Sequence, residues 1–250
     1  MMQCLAVSRS PKNLTTLRRS LTLALCFALT LMVALMQQSA TAAADQRQDA
    51  ADIVTTAETT LKSMLRDPEQ GELANYIRQA EAVLIFPRLL KGGFIIGAEG
   101  GSGLLVVKGD DGEWSSPAFY TLASGSIGLQ IGGQVSEAVF TVMNKSAVQS
   151  ILDDQVKFGG DVSVALGPMG KGLGASTTTN LDADMLAFSR TEGLFGGGAL
   201  EGAGMFRKDG LNAAYYDAAG VEPQQIVINR AYHNPQADGL REALRTATQR

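Results

Sequence analysis

The chain has 250 residues, 45% hydrophobic and 18% charged, with a formal net charge of −4, one histidine and two cysteines. Cys4 and Cys26 both fall in the first 42 residues, so the remainder can form no disulfide, no Cys/His zinc site and no Cys–His nucleophilic pair. All 25 acidic residues lie beyond residue 42 and four of the 21 basic ones before it; the resulting −8 on the remainder argues against non-specific nucleic-acid binding.

The N-terminus carries Arg9, Lys12, Arg18 and Arg19, then the apolar run Leu21–Met36, then the small-residue site Ala40-Thr41-Ala42. That grammar predicts a secretory signal peptide over 1–42, cleaved after Ala42, and a periplasmic protein. The alternative is an uncleaved anchor, for which the run is short. Residues 43–250 read as one domain.

Residues 45–66 keep Ala50, Ile53, Val54, Ala57, Leu61 and Met64 on one face, the spacing of an amphipathic helix that Asp67-Pro68 ends. A short helix follows over Glu72–Ala80, and Val83–Phe86 reads as a buried strand. From Pro87 to Gly220 the chain holds nearly all its glycines. Within that region Pro87–Gly103 reads as two strands joined through a glycine-rich bend, because glycine weakens strands and is usually kept for bends and bulges. Gly109–Gly112 is a hairpin turn. Val135–Met143 is a strand, and Ser146–Leu152 a helix capped by Asn144 or Ser146. Further strands are predicted at Val162–Leu166, Met185–Ser189, Leu194–Leu200 and Leu211–Tyr216. Pro223–Asn229 is helical or extended, and Leu240, Ala243, Leu244 and Ala247 mark a C-terminal amphipathic helix.

Six glycine- and aromatic-bearing motifs then recur in series. They are Pro87 with Lys91-Gly92-Gly93-Phe94; Trp114-x-x-Pro117-x-Phe119; Gly125-x-x-Gly128-x-Gln130-x-Gly132; Phe158-Gly159-Gly160-Asp161 with Gly167-Pro168; Phe188-Ser189-Arg190 with Gly193-Leu194-Phe195 and Leu200-Glu201-Gly202; and Asn212-x-x-Tyr215-Tyr216. Their order over Leu61–Asn229 resembles the SYLF domain, the lipid-binding domain of certain cortical-actin regulators. The resemblance implies a phospholipid-binding domain.

Enzyme signatures fail one by one. His233 sits beside Asn234-Pro235 as a surface-loop residue, and no G-x-S-x-G is present. Gly167–Gly174 lacks the first glycine and the Ser/Thr of a phosphate-binding P-loop. Asn180-x-Asp182-x-Asp184 has Met185 where a calcium loop needs glycine. No catalytic residue, metal or cofactor is expected.

The lipid-binding candidates are Arg88 and Lys91, which flank Leu89-Leu90 with Phe94 close behind. Lys171, in a glycine-rich turn, and Phe195, before Gly196-Gly197-Gly198, complete the set. The alternative at Leu89-Leu90 is a core pair with both charges solvated. The expected fold is α+β, a curved antiparallel sheet or partial barrel of short glycine-rich strands with flanking N- and C-terminal helices. The expected function is non-catalytic binding of anionic phospholipid or a membrane surface in the bacterial envelope. The alternative is a structural or adaptor protein that binds another envelope protein through the same surface.

Overall fold

The structure is a computed structural model and describes residues 42–93, 96–127, 132–153, 155–167, 182–190 and 203–249. A short N-terminal unit, Met1–Asp45, is distinct from the compact unit Gln46–Arg250. The helices are α1 (42–64), α2 (Leu73–Gln79), α3 (Lys145–Leu152), α4 (Asp209–Tyr216), α5 (Pro223–Val227) and α6 (Asp238–Gln249). The strands are β1 (Ala82–Gly93), β2 (Ile96–Val107), β3 (Ala118–Ile127), β4 (Gly132–Val142), β5 (Gln155–Lys157), β6 (Val164–Leu166), β7 (Met185–Ser189) and β8 (Gly204–Arg207).

All eight strands join one sheet in the order β5-β8-β3-β2-β1-β4-β7-β6. The sheet is mixed rather than purely antiparallel, because β6 runs parallel to β7. The chain between Leu166 and Met185 is long enough for the crossover that a parallel pair requires. Sheet curvature follows from chain length. β5 and β6 occupy opposite edges, which a flat sheet of this width would hold roughly 34 Å apart at ordinary strand spacing. Only residues 158–163 join them, a reach of at most about 25 Å. The sheet must therefore curl, and it forms a half-barrel.

That link shows which face is inside. Phe158 and Val162 are buried in the cluster with Leu84, Phe86, Leu105, Tyr120 and Phe140, and the Phe158 ring stands 5.8 Å from Phe140. This inner face is also covered by α3, through Val148 and Ile151, and by α5, through Ile226 and Val227. Alternate residues of the same strands, Val83, Ile85, Leu104, Val106, Phe119 and Val139, face outward into a second cluster. There they meet Ala50, Val54, Leu61 and Met64 of α1, Leu73 and Ile77 of α2, and Leu240 and Leu244 of α6. The amphipathic spacing of the two terminal helices thus has a direct cause: each buries one stripe on the outer face.

Three expectations are corrected. The glycine-rich stretch is not a bend between strands. Gly97, Gly100, Gly101 and Gly103 all lie inside β2, which pairs with β1 from Ala82↔Val107 to Gly93↔Gly97 and with β3 in unbroken register. The predicted strand Val83–Phe86 is the first part of the longer β1, which carries the irregularity itself. Phe86 pairs with Ala138 of β4 and Leu89 with Ser136, so Pro87 and Arg88 together occupy the place of a single residue, a bulge. Proline is tolerated there because a bulge breaks the ladder anyway. Finally, Leu211–Tyr216 is helix α4 rather than a strand. Leu211 and Tyr215, four apart, enter the outer cluster, while the Asn212 carboxamide oxygen accepts from the Phe119 N–H at 2.8 Å. The predicted strand Leu194–Leu200 lies outside the described residues.

Candidate functional site

Beyond the helices, the central strands extend into a glycine-rich end of the sheet, and the predicted basic pair sits there. Strand alternation resumes past the bulge and separates the residues that sequence proximity had grouped. Leu89 is fully buried on the inner face, whereas Leu90 is 53% exposed on the outer face. Neither whole alternative for Leu89-Leu90 holds: one leucine is core and one is surface. Arg88 shares the outer side with Leu90, while Lys91 falls on the inner side, so the two cations do not form one cluster. Phe94, Lys171 and Phe195 lie outside the described residues.

Directly opposite Leu90 stands Val135 of β4, also 53% exposed. Sequence reasoning did not single out Val135, because its exposure depends on register against a bulged partner. A groove of about 480 Å³ borders this pair, lined by Thr56, Pro87, Arg88, Val135, Glu137 and Arg190. Its second arginine is committed. Arg190 contacts Glu137 at 3.2 Å and donates to the Ser63 hydroxyl, and the Thr60 hydroxyl donates to the other Glu137 oxygen at 3.0 Å. Arg88 is exposed and makes no ion pair among the described residues. The outer patch therefore pairs two solvent-facing aliphatic side chains with one guanidinium that has no ion pair among the described residues.

The inner side carries a different arrangement. Lys91 pairs in register with Glu99 of β2, and Glu99 in turn with Ser124 of β3. One step along, Ser136 is buried beside Leu89. Glu99 is only 9% exposed, and neither its Oε1 nor the Ser136 Oγ has a hydrogen-bond partner among the described residues. Burial raises the Glu99 pKa above the ordinary carboxylate range, an effect that the nearby Lys91 charge opposes.

The sign of the resulting pH dependence follows. The folded protein holds this proton more tightly than the unfolded chain. That contribution to stability is full below the ordinary carboxylate pKa and is lost as pH rises through the raised one. Glu99→Gln is expected to raise the melting temperature at neutral pH by about 2–4 °C for each kcal/mol of desolvation relieved. The gain should vanish in melts recorded below the ordinary carboxylate range.

Elsewhere, a cavity of about 540 Å³ is lined by Lys108, Lys145 and Arg230, each of which already has a partner. Lys145 meets Asp110 at 2.9 Å, Arg230 meets Asp111 at 2.6 Å, and Lys108 donates to the Arg78 carbonyl at 2.9 Å. His233 is exposed in its loop, its Nε2 3.7 Å from Asp238. No helix among the described residues is long and apolar enough to cross a membrane.

Comparison with known proteins agrees with the motif series. The family described as "Ysc84: Las17-binding protein actin regulator" matches residues 123–247, half of the chain. SH3 domain-containing YSC84-like protein 1 of Xenopus laevis is 27% identical over 194 residues, covering 77% of this chain and 58% of that protein. An SH3 domain-containing protein of Schizosaccharomyces pombe is 34% identical over 164 residues, 64% of this chain and 38% of its own length. Protein YSC84 of Saccharomyces cerevisiae is 30% identical over 168 residues, 66% of this chain and 36% of its own. The chain thus corresponds to a little over half of the first relative and under two-fifths of the other two. No solved structure matches. On the family match and the ordered motifs together, the chain belongs to the Ysc84/SYLF family.

Proposed function

We propose that this protein is a non-catalytic phospholipid-binding protein of the bacterial envelope. Residues 1–42 would direct its export, and it would dock on anionic membrane surfaces through the outer patch of Arg88, Leu90 and Val135. The observation that carries this reading is the direct pairing of Leu90 and Val135, each 53% exposed, beside the exposed Arg88, which has no ion pair among the described residues. Aliphatic side chains entering the acyl boundary below a basic group form a recurrent mode of peripheral attachment. Membership of a family described as Las17-binding actin regulators supports a binding role rather than a catalytic one, and the SYLF resemblance of the motif series supports lipid as the ligand.

The magnitudes define the kind of attachment. Burying the exposed halves of one leucine and one valine contributes roughly 1–1.5 kcal/mol each. One arginine near an anionic surface adds about 1 kcal/mol. The sum, about 3–4 kcal/mol, corresponds to binding near the millimolar range from this patch alone. Attachment is therefore reversible and salt-sensitive, and it strengthens wherever several contacts act together.

Co-sedimentation with vesicles of phosphatidylglycerol or phosphatidylcholine, at low and moderate salt, tests the reading. Binding to the anionic vesicles is expected, weakened by salt and lost on combining Arg88→Glu with Leu90→Asp, while the circular dichroism spectrum stays unchanged. If no vesicle is bound, the lipid reading fails. The patch then stands as a surface for another protein, envelope or otherwise, and the Las17-binding description of the family supports a protein partner of some kind.

A further inference from the structure

The inner row at the glycine-rich end deepens that reading, on which it rests. A cation and an anion stand directly opposite each other on β1 and β2, with Ser124 of β3 across from the anion. Directly opposed residues hold their Cβ atoms about 5 Å apart, yet Lys91 and Glu99 make no ion-pair contact among the described residues. A Glu99 oxygen is shut off from solvent without a partner among the described residues, as is the Ser136 hydroxyl one pair further along, opposite Leu89. Buried polar groups are nearly always satisfied. Among the described residues other orphans lie within the core, but the Glu99 oxygen is the one that belongs to an unclosed charge pair, and there a partner can arrive from outside.

We infer that this row recognises a phosphoethanolamine group, with Lys91 taking the phosphate, Glu99 the primary ammonium, and Ser124 supplying a hydrogen bond. The charge pattern selects this chemistry. A simple anion is repelled by Glu99 and a simple cation by Lys91, whereas a zwitterion meets both with its dipole reversed. The two-carbon bridge of ethanolamine separates its charges by a distance comparable to the cross-strand spacing. A trimethylated ammonium has no N–H to offer Glu99, so phosphocholine is disfavoured. The outer patch and the inner row then divide the work: Arg88 and the aliphatic pair provide attachment, and Lys91 with Glu99 provide headgroup choice.

The test uses the full protein and vesicles of phosphatidylglycerol mixed with either phosphatidylethanolamine or phosphatidylcholine. Binding is expected to be about tenfold tighter with the ethanolamine lipid, the worth of one charge-assisted hydrogen bond. Glu99→Gln and Lys91→Gln should each abolish that preference while leaving binding to phosphatidylglycerol in place. Equal binding to both mixtures by the unaltered protein, with free phosphoethanolamine giving no amide chemical-shift change at Lys91, Glu99 or Ser124, overturns the inference and leaves the membrane reading intact. If no vesicle binds, the membrane reading fails alone, and the free compound decides. Shifts confined to the inner row, absent in Glu99→Gln, support recognition of the soluble compound; no shifts overturn it.

Discussion

Gly103→Ala is expected to lower the stability of the protein by about 2–3 kcal/mol, read as a reduced urea midpoint at unchanged slope. A Cβ at this position would stand 2.4 Å from the Ile85 carbonyl oxygen and 2.5 Å from the Phe86 ring. At Gly101 it would stand 2.1 Å from the Arg88 carbonyl oxygen. These are backbone oxygens of the bulged strand and cannot rotate out of the way. Relief requires β1 and β2 to separate, which breaks the ladder at the centre of the sheet. Alanine gains roughly 0.5–1 kcal/mol over glycine from backbone entropy, too little to reverse the sign. Gly125→Ala is the internal control: its Cβ would meet nothing within 4 Å, so the same change there should be neutral or mildly stabilising. Because Gly101 lies against Arg88, Gly101→Ala should also displace the outer patch and weaken vesicle binding beyond its effect on stability. If Gly103→Ala and Gly125→Ala prove equally mild, the close approach of the two strands is wrong.

That pairing also explains what was legible in the sequence. The helices at the two ends could be read because their burial is local: α1 and α6 each place one stripe on the outer cluster, and a stripe shows as a period. The glycines of β2 could not be read in the same way. Their cause is the bulge at Pro87-Arg88 on the neighbouring strand, and no property of residues 97–103 announces it. Glycine density therefore suggested a bend. That placement hid the pairing of Lys91 with Glu99, which is simple arithmetic once the strands are known to pair out to Gly93↔Gly97.

The same limit separated Leu89 from Leu90. Their alternation is ordinary, but its phase is set by the extra residue just before them. At Leu211–Tyr216 a tertiary partner decided. Asn212 satisfies the Phe119 N–H from a helix, and the six-residue pattern alone fits a strand as well. Glu99 does carry a signal in the sequence, an acid in the middle of an apolar and glycine strand, and its partner Lys91 becomes visible only with the strand register.

Asp184→Ala is expected to cost about 2 kcal/mol at neutral pH and to remove part of the acid sensitivity of the fold. Asp184 precedes β7 and ties three elements together. Its carboxylate accepts from the Ser163 N–H at 2.9 Å, the Ser163 hydroxyl at 2.7 Å and the Asn144 carboxamide at 2.8 Å. Its own N–H donates back to the Ser163 hydroxyl at 2.9 Å, which fixes the start of the parallel β6–β7 pair. Asn144 caps α3 by accepting from the Ala147 N–H, so the carboxylate also holds that cap in place. Three hydrogen bonds to a charged group would contribute more if fully buried. Here the carboxylate is partly solvated and screening reduces the total.

The Ser163 N–H first, then the Ser163 hydroxyl and Asn144, hold the Asp184 pKa below the ordinary carboxylate value. The folded state thus binds this proton more weakly than the unfolded one. The stabilisation is complete above the ordinary pKa of about 3.9 and is lost as pH falls below it through the depressed value. Unfolding curves of the parent protein and Asp184→Ala should therefore differ at pH 7 and converge in strong acid. A constant difference across that range would mean that the loss comes from packing alone and that the carboxylate clamp contributes nothing through its charge.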